Sequence, residues 1–180
     1  INLSNLPLIK DITELENLTH FGNLAIVNLP LLENLHGLQN VKGPVSGITI
    51  KKTRLSSFQG LNSINNISHH IHIVDNDVLK NASGLESVTG NMHFLDFVDN
   101  DLLESLEGIE SLKTIKGRIL IEGNQSLKSI NSIQGVHLDS INTLSILKNP
   151  ELSFCSLENI CEFLTLKPSN LSYISNNKEG

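Results

Sequence analysis

One short pattern recurs along the chain at an almost constant interval. It reads INLSNLPLI at 1–9, LAIVNLPLL at 24–32, ITIKKTRL at 48–55, IHIVDNDVL at 71–79, LDFVDNDLL at 95–103, ILIEGNQSL at 119–127 and LSILKNPEL at 144–152. Successive starts lie 23 to 25 residues apart. A period of this size restricts the fold more than any single motif does. Each unit is too small to bury its own apolar face and must stack on copies of itself.

Within each unit the first and third residues are apolar, as in Leu24 and Ile26, Ile71 and Ile73, Leu95 and Phe97, Ile119 and Ile121. That alternation is the period of a β-strand with one buried face. Further on, apolar residues recur at every third place: Leu79, Ala82, Leu85 and Val88, then Leu103, Leu106, Ile109, Leu112 and Ile115. A helix mixes steps of three and four. Steps of three only, punctuated by Gly37, Gly60, Gly84 and Gly108, imply short extended pieces joined by corners. Each unit then brings the chain back one strand spacing, about 4.8 Å, above its start. Composition agrees: Trp is absent and aromatic residues total only 4%, which suits many narrow Leu and Ile layers better than one bulky centre. The expected fold is mainly β. It is a right-handed parallel β-helix of about seven coils over 1–154, with a short C-terminal cap over 155–180, all in one domain.

Asn76, Asn100, Asn124 and Asn149 fall at one place in four successive units, where the strand ends and the backbone must turn. There a side-chain amide can satisfy peptide groups freed by the corner and stack on its counterparts above and below. Leu29 and Thr53 hold the equivalent place in earlier units, so the ladder is expected to be incomplete at that end.

The I-x-I-x-x-N-x-x-L unit resembles leucine-rich repeats, with one extra residue before the last apolar position. Its combination with L-x-G-L-x-x-L/I-x-x-I-x-G, as in Leu106 to Gly117, resembles the receptor L domain of insulin and epidermal growth factor receptors over almost the whole chain. The end, NPELSFCSLENICEFL followed by ISNN, is similar to the terminal unit of secreted or surface L-domain-like proteins of Bacteroidetes-type bacteria. The resemblance implies an exported, non-catalytic recognition module. The cysteine-rich regions of the animal receptors are absent, so it does not imply a hormone ligand.

In CSLENICEFLTL at 155–166, Leu157, Ile160, Cys161 and Leu164 lie at steps of three and four with Pro168 just beyond, the pattern of an amphipathic helix of about three turns. Such a helix would cover the apolar end and open strand edges of the last coil. LSYIS at 171–175 can add one more strand. Cys155 and Cys161 are the only cysteines. Either they form a local disulfide pinning the cap, as in an exported protein, or they are two reduced thiols. Without a second pair they do not make a zinc site.

The outward residues of each strand are the candidate ligand face: Val27, Thr49, Lys51, His72, Val74, Asp96, Val98, Leu120, Glu122 and Leu147. The register places His72 beside Asp96. With His69, His70 and His93 nearby a metal or acid–base site is conceivable, but an exposed histidine beside an exposed carboxylate is the plainer reading. Asp75, Asp77, Asp99 and Asp101 suggest calcium chemistry, yet the glycine-rich nonapeptide of calcium-binding β-rolls is missing. No metal and no cofactor are therefore expected. Nor is an enzyme: the units vary too little in length to wall a cleft, and neither G-x-S-x-G nor H-E-x-x-H occurs.

Thirteen Lys and Arg against nineteen Asp and Glu leave a net charge of −6 with no basic stripe, a poor match to nucleic acid. No apolar run approaches the roughly 20 residues of a membrane span. Sequons begin at Asn2, Asn17, Asn66, Asn81, Asn124 and Asn170, and Asn124 belongs to the ladder. The function expected is recognition of a protein or glycan at a cell surface or outside the cell, any signal peptide having been removed. The alternatives are a structural spacer or adhesin segment without a ligand, and a β-helical carbohydrate-active enzyme.

Overall fold

The computed structural model describes residues 1–139, 141–153, 157–166 and 172–178. Among these residues eight strands form a single sheet in chain order, each parallel to the next: β1 (Asn2–Ser4), β2 (Asn23–Leu29), β3 (Gly43–Thr53), β4 (Ile64–Val74), β5 (Asn91–Val98), β6 (Thr114–Glu122), β7 (Thr143–Leu147) and β8 (Ser172–Ser175). Parallel neighbours cannot be joined by a hairpin, so every connection must travel round and return on the same side. The result is a parallel β-solenoid of about seven turns of about 24 residues, with one short helix, α1 (Glu158–Leu166), before the last strand. No helix among the described residues is long and apolar enough to cross a membrane.

Register follows the repeat. Leu24, Ile48, Ile71, Leu95, Ile119 and Leu144 pair in one inward column, and Ile26, Ile50, Ile73, Phe97, Ile121 and Ile146 in a second. All twelve are fully buried, as are the step-of-three residues Leu79 to Val88 and Leu103 to Ile115. One continuous apolar cluster runs from Ile12 to Phe163. Each such side chain contributes about 1.5–3 kcal/mol relative to leaving it in water, which is why the layers stack without a disulfide or a bulky centre.

Two corner columns shape each coil. At the end of each strand one residue has left-handed backbone: Asn5, Asn28, Lys52, Asp75, Asp99, Gly123, Lys148 and Asn176, with φ between 52° and 73°. Left-handed geometry costs an ordinary L-residue about 1–2 kcal/mol, less for Asn or Asp and nothing for Gly, which accounts for the residue types at most of these positions. The next residue carries the ladder. The Oδ1 of Asn100 accepts from the backbone N–H of Asn76 at 3.1 Å and from its Nδ2 at 3.3 Å, and Asn124 and Asn149 repeat the arrangement for the coils before them. Each Nδ2 also donates to the carbonyl two residues back and to one in the preceding coil, as Asn100 does to Val98 and Ile73. All four amides are fully buried. The ladder has a fifth rung that the repeat alone did not reveal: Asn177 accepts from Asn149 and donates to the Ile146 carbonyl. It ends at Thr53, whose backbone N–H and hydroxyl both donate to Asn76, while Leu29 is simply buried.

The second corner falls at the glycines. Gly84 has φ 107°, and a Cβ there would run into the Phe58 carbonyl of the coil before; Gly108 stands in the same relation to Ala82. Two of the coils without glycine at this place turn instead as short 3-10 helices, Thr13–Leu15 and Asn131–Ile133.

At the C-terminal end α1 buries Leu157 beside its start and Ile160 and Phe163 along it, with Leu164 half-buried. Cys161 does not join this stripe. It is a free, exposed thiol on the solvent side of the helix. The expected disulfide is therefore not a feature of this fold; Cys155 lies outside the described residues. At the opposite end Leu6, Leu8 and Ile9 are exposed.

Candidate interaction face on the parallel sheet

Because side chains alternate along a strand, the residues between the buried ones form columns on the outer face. Ser4, Val27, Lys51, Val74, Val98, Glu122, Leu147 and Ser175 make one column. Asn2, Ala25, Thr49, His72, Asp96, Leu120, Ser145 and Tyr173 make the next. Every candidate face residue read from the sequence thus lies in one of two adjacent rows. A third row, two residues upstream, contains Gly47, His70, Phe94 and Arg118. The sequence reading did not extend to it.

That third row changes the electrostatics of the face. Asp96 is not the exposed carboxylate expected beside His72; its side chain is only 6% accessible. The guanidinium of Arg118 covers it and grips both oxygens, Nε to Oδ1 at 3.1 Å and an Nη to Oδ2 at 2.7 Å. A bidentate pair of this kind is strong and planar. The hydrogen bond to Asp96 raises the pKa of Arg118, which also lies over the Phe94 ring at 5.8 Å. Opposite, Nε2 of His72 sits 3.2 Å from Oδ2 of Asp96, but it is buried and makes no aligned hydrogen bond.

Around this group the imidazoles cluster. The rings of His70 and His72 are 4.5 Å apart, and His69 lies 5.5 Å from His70 and 5.4 Å from His93. The strand register is irregular beside these rings, between Val45 and Gly47 and between Met92 and Phe94. His70 rests against the backbone of Gly47, where any Cβ would collide with its ring, and its Nε2 meets the Thr49 hydroxyl at 3.0 Å. Burial lowers the pKa of His70, reinforced by His72 and His69 and opposed by Asp96. Burial likewise lowers that of His72, against Asp96 and with Arg118 and His69. Among the described residues no three metal-ligating side chains converge tightly enough to hold an ion.

No family model, curated protein or solved structure matches the chain. The face has to be understood from its own chemistry. In the column beside the imidazole and guanidinium group Val27, Val74, Val98 and Leu147 are half-buried, with Lys51 and Glu122 interspersed, and Leu120 follows Asp96 in its own row. The acidic corner lies past its end. Asp75 and Asp99 are the left-handed residues there, Lys51 approaches Asp75 at 3.8 Å, and Lys148 pairs with Glu122 at 2.8 Å. Burial, then the charges of Asp75, Glu122 and Asp101, push Asp99 up, with Lys148 opposing. Of the sequons, Asn124 is inside the ladder and Asn170 lies outside the described residues.

Reading the outward positions only within the I-x-I stretch hid Arg118. Continuing the same alternation two residues upstream in each unit would have found it, because Arg118 is to Leu120 what Phe94 is to Asp96.

Proposed function

We propose that the chain is a non-catalytic recognition module that binds a protein partner, outside the cell or at its surface, through the outer face of its parallel sheet. The observation that carries this reading is the half-buried pair Val74 and Val98, adjacent in a column that continues through Lys51 to Val27 and through Glu122 to Leu147, beside the Arg118–Asp96–His72 group. Aliphatic side chains beside an arginine paired to a buried carboxylate are the make-up of interface centres. A sheet whose inner strands are paired on both sides offers such a surface ready-made, with little ordering cost on binding. A protein is favoured over a glycan because flat sugar rings stack on open aromatic faces. Here the Phe94 ring is under Arg118, and Tyr173 is the one exposed tyrosine. The resemblance of the units to leucine-rich repeats and receptor L domains supports the same reading.

The test is retention of cell-surface proteins on the immobilised chain, compared with a Val74→Asp/Val98→Asp variant whose circular dichroism matches the parent. A band retained by the parent and lost by the variant supports recognition through this face. Identical retention by both would favour the spacer reading. Retention of glycans from an array, abolished by the same pair, would replace protein with sugar as the ligand, and turnover of those glycans would restore the enzyme alternative.

A further inference from the structure

The carboxylate of Asp96 is nearly sealed from water in the middle of an outward-facing row, with a cation on one side and an imidazole on the other. Arg118 holds both of its oxygens. His72 is within reach of Oδ2, yet its Nε2 lacks an aligned hydrogen bond. A buried ring nitrogen this close to a carboxylate, without the bond that would justify the approach, has an unused partner. We propose that His72 and Arg118 compete for Asp96, so that acidification hands the carboxylate from the guanidinium to the imidazolium and turns the face cationic.

At neutral pH the charge of Asp96 is matched by Arg118. Burial keeps His72 neutral, with Arg118 and His69 acting in the same direction and Asp96 against it. The groups surrounding His72 are Lys51 on β3, His69 and His70 on β4, His93 and Asp96 on β5, and Arg118 and Glu122 on β6. Lys51 is turned to Asp75 and Glu122 to Lys148, so Arg118 is the cation that contends with His72 for Asp96. Once protonated, His72 gains a directed, charge-assisted bond to Oδ2. Two cations on one carboxylate then repel each other, and Arg118, which is 41% accessible, has water to move into. Leaving Asp96 also takes it off the Phe94 ring. The switch itself does not depend on the recognition reading. Its consequence, release at acid pH of a partner held on this face, does rest on it.

The experiment is an NMR pH titration of the 19.8 kDa chain from 7.5 to 5, following the histidine rings and the Nε–Hε group of Arg118. The expected result is that solvent exchange of the Arg118 Nε–Hε hydrogen, corrected for the intrinsic pH dependence, accelerates at least tenfold, with the same midpoint as His72. In His72→Gln it stays slow throughout. Asp96→Asn serves as a second variant and should show fast exchange already at pH 7.5. An Arg118 signal that keeps its protection while His72 titrates, or that loses it equally in His72→Gln, overturns the proposal. Partner retention measured at both pH values on the parent separates this result from failure of the recognition reading.

Discussion

Replacing Asn100 by alanine tests the ladder where it is most enclosed. The side chain is fully buried and makes five contacts: Oδ1 with the backbone N–H and Nδ2 of Asn76, and Nδ2 with the carbonyls of Ile73 and Val98 and with Oδ1 of Asn124. Several of these groups keep another partner. The Val98 carbonyl still receives the Asp75 N–H, Nδ2 of Asn76 keeps the carbonyls of Ile50 and Val74, and Oδ1 of Asn124 keeps the Asn100 backbone N–H. What is stranded is the Asn76 backbone N–H, together with the side-chain bond to the Ile73 carbonyl. A buried group left unpaired costs about 1–3 kcal/mol, and the vacated space adds to it, so the expected loss is about 3–4 kcal/mol. That is a large share of the roughly 5–15 kcal/mol that holds a domain together. The matched control is Asn177→Ala at the half-buried end rung, where water can replace the lost partner and the loss should be about 1 kcal/mol. Urea unfolding followed by circular dichroism measures both, and hydrogen exchange at the Asn76 amide reports the local opening. Equal losses at the two rungs, or an Asn76 amide as protected in Asn100→Ala as in the parent, would refute the idea that enclosure sets the value of a rung.

Three other expectations can be checked on the same material. His70 and His72 are both held neutral by burial in the fold, while the unfolded chain takes up those protons near pH 6.5. Their contribution is therefore intact above about pH 6.5 and is lost as the pH falls from there towards the lowered folded values, so the fall in Tm between pH 7.5 and 5 should be shallower in His72→Gln. Gly84→Ala should cost about 2–4 kcal/mol, because it adds a clash with the Phe58 carbonyl to an unfavourable φ, whereas Gly43→Ala, at φ 86° in open space, should cost about 1–2 kcal/mol in thermal or urea unfolding. Asp99→Asn should raise Tm at pH 7: it removes a carboxylate that burial, then the neighbouring carboxylates, push up, and it places at φ 52° the residue type found at the matching corners of Asn5, Asn28 and Asn176. The electrostatic part of that gain should vanish as the pH drops into the carboxylate range, since both residues are then neutral, while the part due to the left-handed corner should persist.

The columns of the solenoid were legible in the sequence because two simple periods, one of two residues and one of about 24, act on the same side chains. Leu95, Ile119 and Leu144 pair as the repeat requires, and so do the outward residues His72 and Asp96. What escaped depended on contacts between rows rather than along them. The burial of Asp96 follows from Arg118, which lies outside the repeated stretch and reaches diagonally across the strand pair. The fifth rung at Asn177 was hidden because α1 interrupts the spacing, setting Asn177 28 residues after Asn149 instead of the usual interval. Cys161 was placed on the buried side of α1 by its steps of three and four, but Phe163, a larger apolar group, takes that side and turns the thiol outward.

The rungs of the ladder all point one way: every Oδ1 receives from the coil before it and none from the coil after. A corner is therefore finished only when its successor is laid down, and the molecule has a grain, like timber. Adding or deleting a whole turn in its interior would leave the grain unbroken, whereas a partial turn would put donor against donor. Such a molecule should change length over generations in full windings, and seldom by a few residues within one.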